Sequence, residues 1–155
     1  MRTKTFFALF VLLLATLAAC SKRVPYSQVD NIDGNGWHKD SVHSYTIDID
    51  NTNDLYELDI VLRNDNTYPD QNLWLKVEWK DPQDSLHTDT LNIFLADEFG
   101  RWRGRGIGSN YNNLILYKDS MTYDAVGTYE YRISHLMRHN TLNGLTQIGL
   151  QLMKK

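Results

Sequence analysis

The chain all but lacks cysteine. Cys20 is the one thiol in 155 residues, so neither an internal disulfide nor a cysteine-rich zinc site can be built. An excess of basic charge is lacking as well. Sixteen Lys and Arg stand against nineteen Asp and Glu, for a net charge of −3 and a pI near 5.9. A phosphate backbone rewards a strongly basic face, so nucleic acid is not expected as a partner. No apolar run is long enough to cross a bilayer, because Phe6 to Ala19 falls short of the roughly twenty residues a spanning helix needs. Low hydrophobicity is also absent: 42% hydrophobic, 12% aromatic and 23% charged residues exclude intrinsic disorder and collagen-like repeats. Helical periodicity is scarce, and the length points to a single domain.

What the N-terminus does contain is a leader. It reads MRTKTFFALFVLLLATLAA, with Arg2 and Lys4 ahead of the apolar run, which is the layout of a secretory signal. The run closes in Leu17-Ala18-Ala19-Cys20, and this resembles the bacterial lipobox. The resemblance implies removal of residues 1–19, a diacylglyceryl group on the Cys20 sulfur and usually a third acyl chain on the new amino group. An ordinary signal peptide followed by a coincidental cysteine is the plainer alternative. At about 0.8 kcal/mol per buried methylene, two or three chains hold a protein on a membrane far more firmly than one reversible chain. Ser21 rather than Asp follows the cysteine, and Lys22-Arg23 stand where a surface-export signal would be acidic. The expected address is the outer membrane, with the domain facing the periplasm.

Residues 20–40 are polar and rich in turn formers, including Pro25 and the stretch from Asp30 to Gly36. They are expected to act as a tether, pairing in part with the domain edge. Residues 41–155 are expected to fold as an antiparallel β-sandwich of about eight strands. Period-two patterns recur at Tyr45-Ile47-Ile49, Leu58-Ile60-Leu62, Leu73-Leu75-Val77-Trp79 and Leu91-Ile93-Leu95, then at Leu114-Leu116, Tyr129-Tyr131-Ile133 and Ile148-Leu150-Leu152. The Trp102 segment makes the eighth strand. Turn formers such as Asn51 to Asp54, Asn64 to Asn66 and Asp81-Pro82 separate these runs. The one plausible helical turn, Ser134 to Asn140, is expected to be short or absent.

Four blocks identify a family. They are LRNDNTYPDQNLWLKVEW from Leu62 to Trp79, Asp89-Thr90-Leu91, GRWRGRGIG from Gly100 to Gly108, and HLMRHNTLNGLTQIGLQL from His135 to Leu152. With the lipobox and Gly36-Trp37, their order and spacing resemble the gliding-motility lipoprotein GldH family of Bacteroidetes-type bacteria. That resemblance implies an envelope role in gliding and in the secretion apparatus associated with it, with other envelope lipoproteins as partners. It implies no catalytic activity and no cofactor, and so carries no catalytic residue across.

Individual residues supply candidate contacts. On a strand, Arg101, Arg103 and Arg105 share one face while Trp102, Gly104 and Gly106 share the other. Three guanidinium groups in a row suit carboxylates or phosphates; the plainer account is a charged edge strand that resists aggregation. Trp74 is expected to face outward if Leu73 and Leu75 face inward, and Tyr68 in the same turn-rich block is a further partner-contact candidate. Arg63 and Arg138 are expected to pair with a carboxylate or with backbone carbonyls. His135 and His139 have a zinc-compatible spacing, but HExxH fails at Leu136, so no metal site is expected. Asp48, Asp50 and Asp54 imitate the start of a calcium loop without its glycine or its glutamate. No nucleophile–base constellation supports catalysis.

Asp40-Ser41, Asp84-Ser85, Asp89-Thr90 and Asp119-Ser120, each with its following residue, resemble the O-glycosylation acceptor of this bacterial lineage. Ser41, Ser85, Thr90 and Ser120 are therefore candidate modification sites, with turn chemistry as the plainer account. The rival function from another class is a periplasmic glycan-binding or glycan-processing lipoprotein. It would require a concave face with two or more coplanar exposed aromatics.

Overall fold

The computed structural model describes residues 25–155. The expected signal peptide and Cys20 lie outside the described residues. Among those described there is no helix, and the Ser134 to Asn140 turn is replaced by the end of a strand and an irregular loop.

Eleven strands follow in chain order: β1 Tyr26–Asn31, β2 Trp37–His38, β3 His43–Ile49, β4 Tyr56–Asp65, β5 Asn72–Lys80, β6 Leu86–Phe94, β7 Arg105–Ile107, β8 Asn110–Met121, β9 Gly127–His135, β10 Thr141–Leu142 and β11 Leu145–Lys154. They form a five-stranded sheet ordered β1-β11-β4-β8-β7, a four-stranded sheet ordered β3-β9-β5-β6, and a small β10-β2 pair. Every pairing is antiparallel. The all-β, single-domain class expected from the alternating patterns is what the chain adopts.

The alternation decides the layering. In β4, Leu58, Ile60 and Leu62 turn inward; in β5, Leu73, Leu75 and Val77 do the same; in β11, Ile148, Leu150 and Leu152 complete the core. Each fully buried aliphatic side chain contributes about 1.5–3 kcal/mol, and the two inward faces stack as in other sandwiches. Two lateral ties hold the sheets in register. On one side the Tyr45 hydroxyl of β3 donates to the carbonyl of Ile148 in β11 at 3.0 Å. On the other side, Tyr117 and Lys118 of β8 donate to Asp89 Oδ2 of β6 at 2.8 and 2.7 Å. A register shift in the β4–β8 ladder lies between Leu58 and Asp59, opposite Lys118 and Leu116. It leaves Tyr117 as an extra residue, a bulge that aims both donors at the gap.

The segment expected as a tether contributes to the fold. β1 pairs along its whole length with β11, Trp37 is buried at 1% exposure, and Ile32 joins the core. Pairing with the domain edge thus extends from Tyr26, and the folded unit takes in most of residues 20–40. The period-two rule missed β1 because its outward and inward residues are both largely polar: Ser27, Gln28 and Asp30 belong to an edge strand with little apolar burial of its own.

Candidate interaction surface

Arg101, Arg103 and Arg105 are all exposed, but they do not belong to one strand. After β6 the chain makes a tight loop organised by Asp97. Its Oδ1 accepts the backbone N–H groups of Phe99 and Arg101 at 2.9 Å each, and its Oδ2 accepts Arg101 Nε at 2.8 Å. The Arg101 backbone N–H is the chief influence holding the Asp97 carboxyl below the usual range, with the Arg101 guanidinium assisting. Arg101 also lies 5.2 Å over the Phe99 ring. It is therefore occupied within its own loop.

Trp102 bridges to Ala96 and packs between Tyr68 and Tyr111, with ring centroids at 6.4 and 5.8 Å. The expected strand at Trp102 is interrupted: Arg103 donates its N–H to the carbonyl of Leu95 on the β6 side, whereas Arg105 opens β7 and pairs with Asn112 of β8 in the other sheet. Crossing between sheets breaks the ladder, while inward Trp102 still keeps Arg103 and Arg105 pointing out.

Those two arginines line a groove of about 670 Å³ together with Val61, Ile93, Phe94 and Leu114. Neither makes an ion pair among the described residues. Among the described residues no carboxylate lines the groove. Arg63 stands nearby, its Nε donating to Asn112 Oδ1 at 2.6 Å; its partner is a side-chain amide oxygen, not the expected carboxylate or backbone carbonyl.

Trp74 faces outward at 41% exposure, in the same row as Lys76 and Glu78. Its backbone carbonyl accepts the Leu136 N–H at 2.8 Å. It borders a different depression, with Asp70, Asn72, Met137 and His139, and so is not brought together with the arginines. Tyr68 is a correction to the expected contact set. It is 3% exposed, its hydroxyl donates to the carbonyl of Asn72 at 2.8 Å, and burial pushes its phenol upward. So deeply buried a ring presents no surface to a partner in this fold.

A separate aromatic cluster is partly buried at one end of the sandwich. Trp79 stacks with His87 on an interplanar angle of 12° and with Tyr131 at 19°. With Tyr117, Tyr123 and Tyr129 they border a pocket of about 220 Å³ at one end of the sandwich. Burial pushes the Tyr123 phenol up to about 12. Trp74 has no aromatic neighbour among the described residues, so the coplanar exposed pair a glycan platform needs is not formed around it.

Ser41, Ser85, Thr90 and Ser120 are all exposed. Their preceding aspartates are engaged locally: Asp40 lies 3.6 Å from His38, Asp84 lies 3.5 Å from Lys80, Asp89 holds Tyr117 and Lys118, and Asp119 accepts Ser120 Oγ. His135 ends β9, buried, whereas His139 is exposed. No group of three or more possible metal ligands occurs among the described residues.

The fold and its surface define a β-sandwich domain whose exposed features among the described residues are an open sheet edge, an unpaired arginine pair and an outward tryptophan. The chain belongs to the GldH lipoprotein family, whose model matches residues 24–152. It is 31% identical over 153 residues to the "Gliding motility lipoprotein GldH homolog" of Christiangramia forsetii, covering 94% of this chain and 93% of the relative. It is 29% identical over 154 residues to the "Gliding motility lipoprotein GldH" of Flavobacterium johnsoniae, covering 94% and 95%. Among solved structures, a family GH115 4-O-methyl-α-glucuronidase with specificity for decorated arabinogalactans aligns with a TM-score of 0.43 at 11% identity. The alignment takes in 84% of this chain and 18% of that one.

Proposed function

We propose that this protein is a non-enzymatic component of the cell envelope, required for gliding motility and the secretion machinery associated with it, and acting through protein–protein contacts. Acyl chains on Cys20 hold it in the outer membrane, with the sandwich facing the periplasm. The observation that carries this reading is the family match over residues 24–152, together with near full-length relatives named for gliding motility. The exposed chemistry agrees with it, because arginine and tryptophan anchors beside apolar surface are typical of interface centres.

The test is deletion of the gene and complementation with wild type or with Cys20→Ala. Loss of colony spreading, of secreted protein or of the other envelope lipoproteins is expected in the deletion and in the Cys20→Ala strain, with wild type restoring all three. Full function of a non-acylated protein found in the soluble fraction would remove the anchor from the proposal. A deletion strain unchanged in every readout would overturn the envelope role.

A further inference from the structure

β8 is twelve residues long, but β7 covers only its first part, pairing with Asn110, Tyr111 and Asn112. Gly104 still lies against Asn113. Beyond that point the edge has no strand neighbour among the described residues. Roughly every second residue of this stretch turns its N–H and C=O away from β4 into the open. Natural edges are usually blunted by charge, proline or a covering element. Leu114-Ile115-Leu116 has none of these, and Leu114 and Leu116 are 60% and 55% exposed. The bulge and charge arrive only at Tyr117 and Lys118, where the tie to Asp89 closes the gap.

Beside this bare edge runs the groove, lined by Ile93, Ile115 and exposed Phe94 together with Arg103 and Arg105. The two guanidinium groups lack acidic partners among the described residues, although acidic side chains outnumber basic ones in the chain. A site with free main-chain groups, an apolar lining and two uncompensated positive charges fits one kind of occupant. We propose that an extended segment of a partner protein, apolar with at least one carboxylate, adds as a strand to the edge of β8 at Leu114–Leu116. Its main chain completes the ladder, its apolar side chains cover Leu114, Leu116 and Phe94, and its carboxylate meets Arg103 and Arg105 bidentately. This deepens the protein-contact reading above and rests on it.

The experiment places a photoreactive benzoylphenylalanine at position 116 of the full-length protein in the bacterium that makes it. Glu130, exposed on the far sheet in β9, serves as the control position and Trp74 as a second probe. Crosslinked peptides are sequenced by mass spectrometry. The expected result is a position-116 crosslink to one envelope protein, mapped to a short contiguous segment containing Asp or Glu. It should fall at least tenfold in an Arg103→Glu/Arg105→Glu variant whose thermal unfolding matches wild type. Crosslinking at 116 no higher than at 130, persistence in the double variant, capture of a second copy of this chain, or a segment without acidic residues would each overturn the strand-addition site. Crosslinks at 74 with none at 116 would overturn this site while leaving the protein-contact reading intact. None at either position, with an unaltered deletion strain, would overturn both.

Discussion

Nε2 of His135 lies 3.1 Å from the carbonyl oxygen of Trp37, joining the end of β9 to a segment ninety-eight residues away. Only a protonated Nε2 makes that contact a hydrogen bond, so the neutral ring carries its proton there and leaves Nδ1 bare, buried and without a partner among the described residues. A second proton would create a charged donor with nothing to receive it. Burial accordingly pulls the His135 pKa below 6.5, against the opposing bond to Trp37. Because the folded value is depressed, His135 costs nothing above about 6.5 and stability falls as pH drops below the unfolded value. Chemical denaturation between pH 7.5 and 5 should show this decline in wild type. It should be shallower in His135→Gln, whose amide can keep the donor to Trp37; an equally steep decline would clear His135 of responsibility.

Trp37 makes the other half of that relationship. It is buried, its Nε1 donates to the carbonyl of Ser41 at 3.0 Å, and its ring meets His43 and His135 edge-on. Trp37→Ala should cost about 3–5 kcal/mol, the range for emptying an aromatic core site. A fragment beginning at Ser41 would lose β1 and Trp37 together, and circular dichroism should show it unfolded or deeply destabilised. A fragment that melted like the intact domain would return residues 26–40 to the status of a tether.

The core was legible because its strands alternate cleanly: Leu58-Ile60-Leu62 and Leu73-Leu75-Val77 each write the two-residue period into the sequence. β1 was not, since an edge strand paired on one side gains its place from main-chain bonds to β11 rather than from apolar side chains. The arginine face was legible in part. Alternation rightly turned Arg103 and Arg105 outward, but it could not show that Asp97 captures Arg101, a bond made within a loop and invisible to periodicity. Tyr68 misled for a related reason. A tyrosine in a turn-rich block reads as surface, and only the packing of Trp102 against it reveals burial.

The β7 hairpin depends on the smallness of Gly106. A methyl group there would collide with the main-chain carbonyl of Asn110, an overlap that no side-chain rotation relieves. Gly106→Ala should therefore splay β7 from β8 and displace Arg105. Ile107, already 96% exposed, contributes no core contact to resist the change. Hydrogen exchange should quicken at residues 105–112 with protection in β4, β5 and β11 retained. Global loss of protection instead would mean that β7 supports the whole sandwich.

Asp59 presents the opposite problem, a carboxylate where the fold offers too little. It is 2% exposed in the middle of β4, and its Oδ2 has no hydrogen-bond partner among the described residues. Burial raises its pKa, neighbouring Glu57 raises it further, and Lys155 offsets only part of this. A raised carboxyl has the reverse sign from a salt-bridged one. The fold tolerates Asp59 fully below the unfolded value near 3.8, where it is protonated in both states, and loses stability as pH rises through the folded value. Asp59→Asn removes the buried charge and should stabilise the domain at pH 7 by about 1 kcal/mol, within the scale of an unsatisfied buried polar group. Urea titrations should show a higher midpoint with an unchanged slope, and the advantage should shrink as the pH approaches 4. A variant less stable than wild type at pH 7 would mean that Asp59 is held by a favourable contact after all.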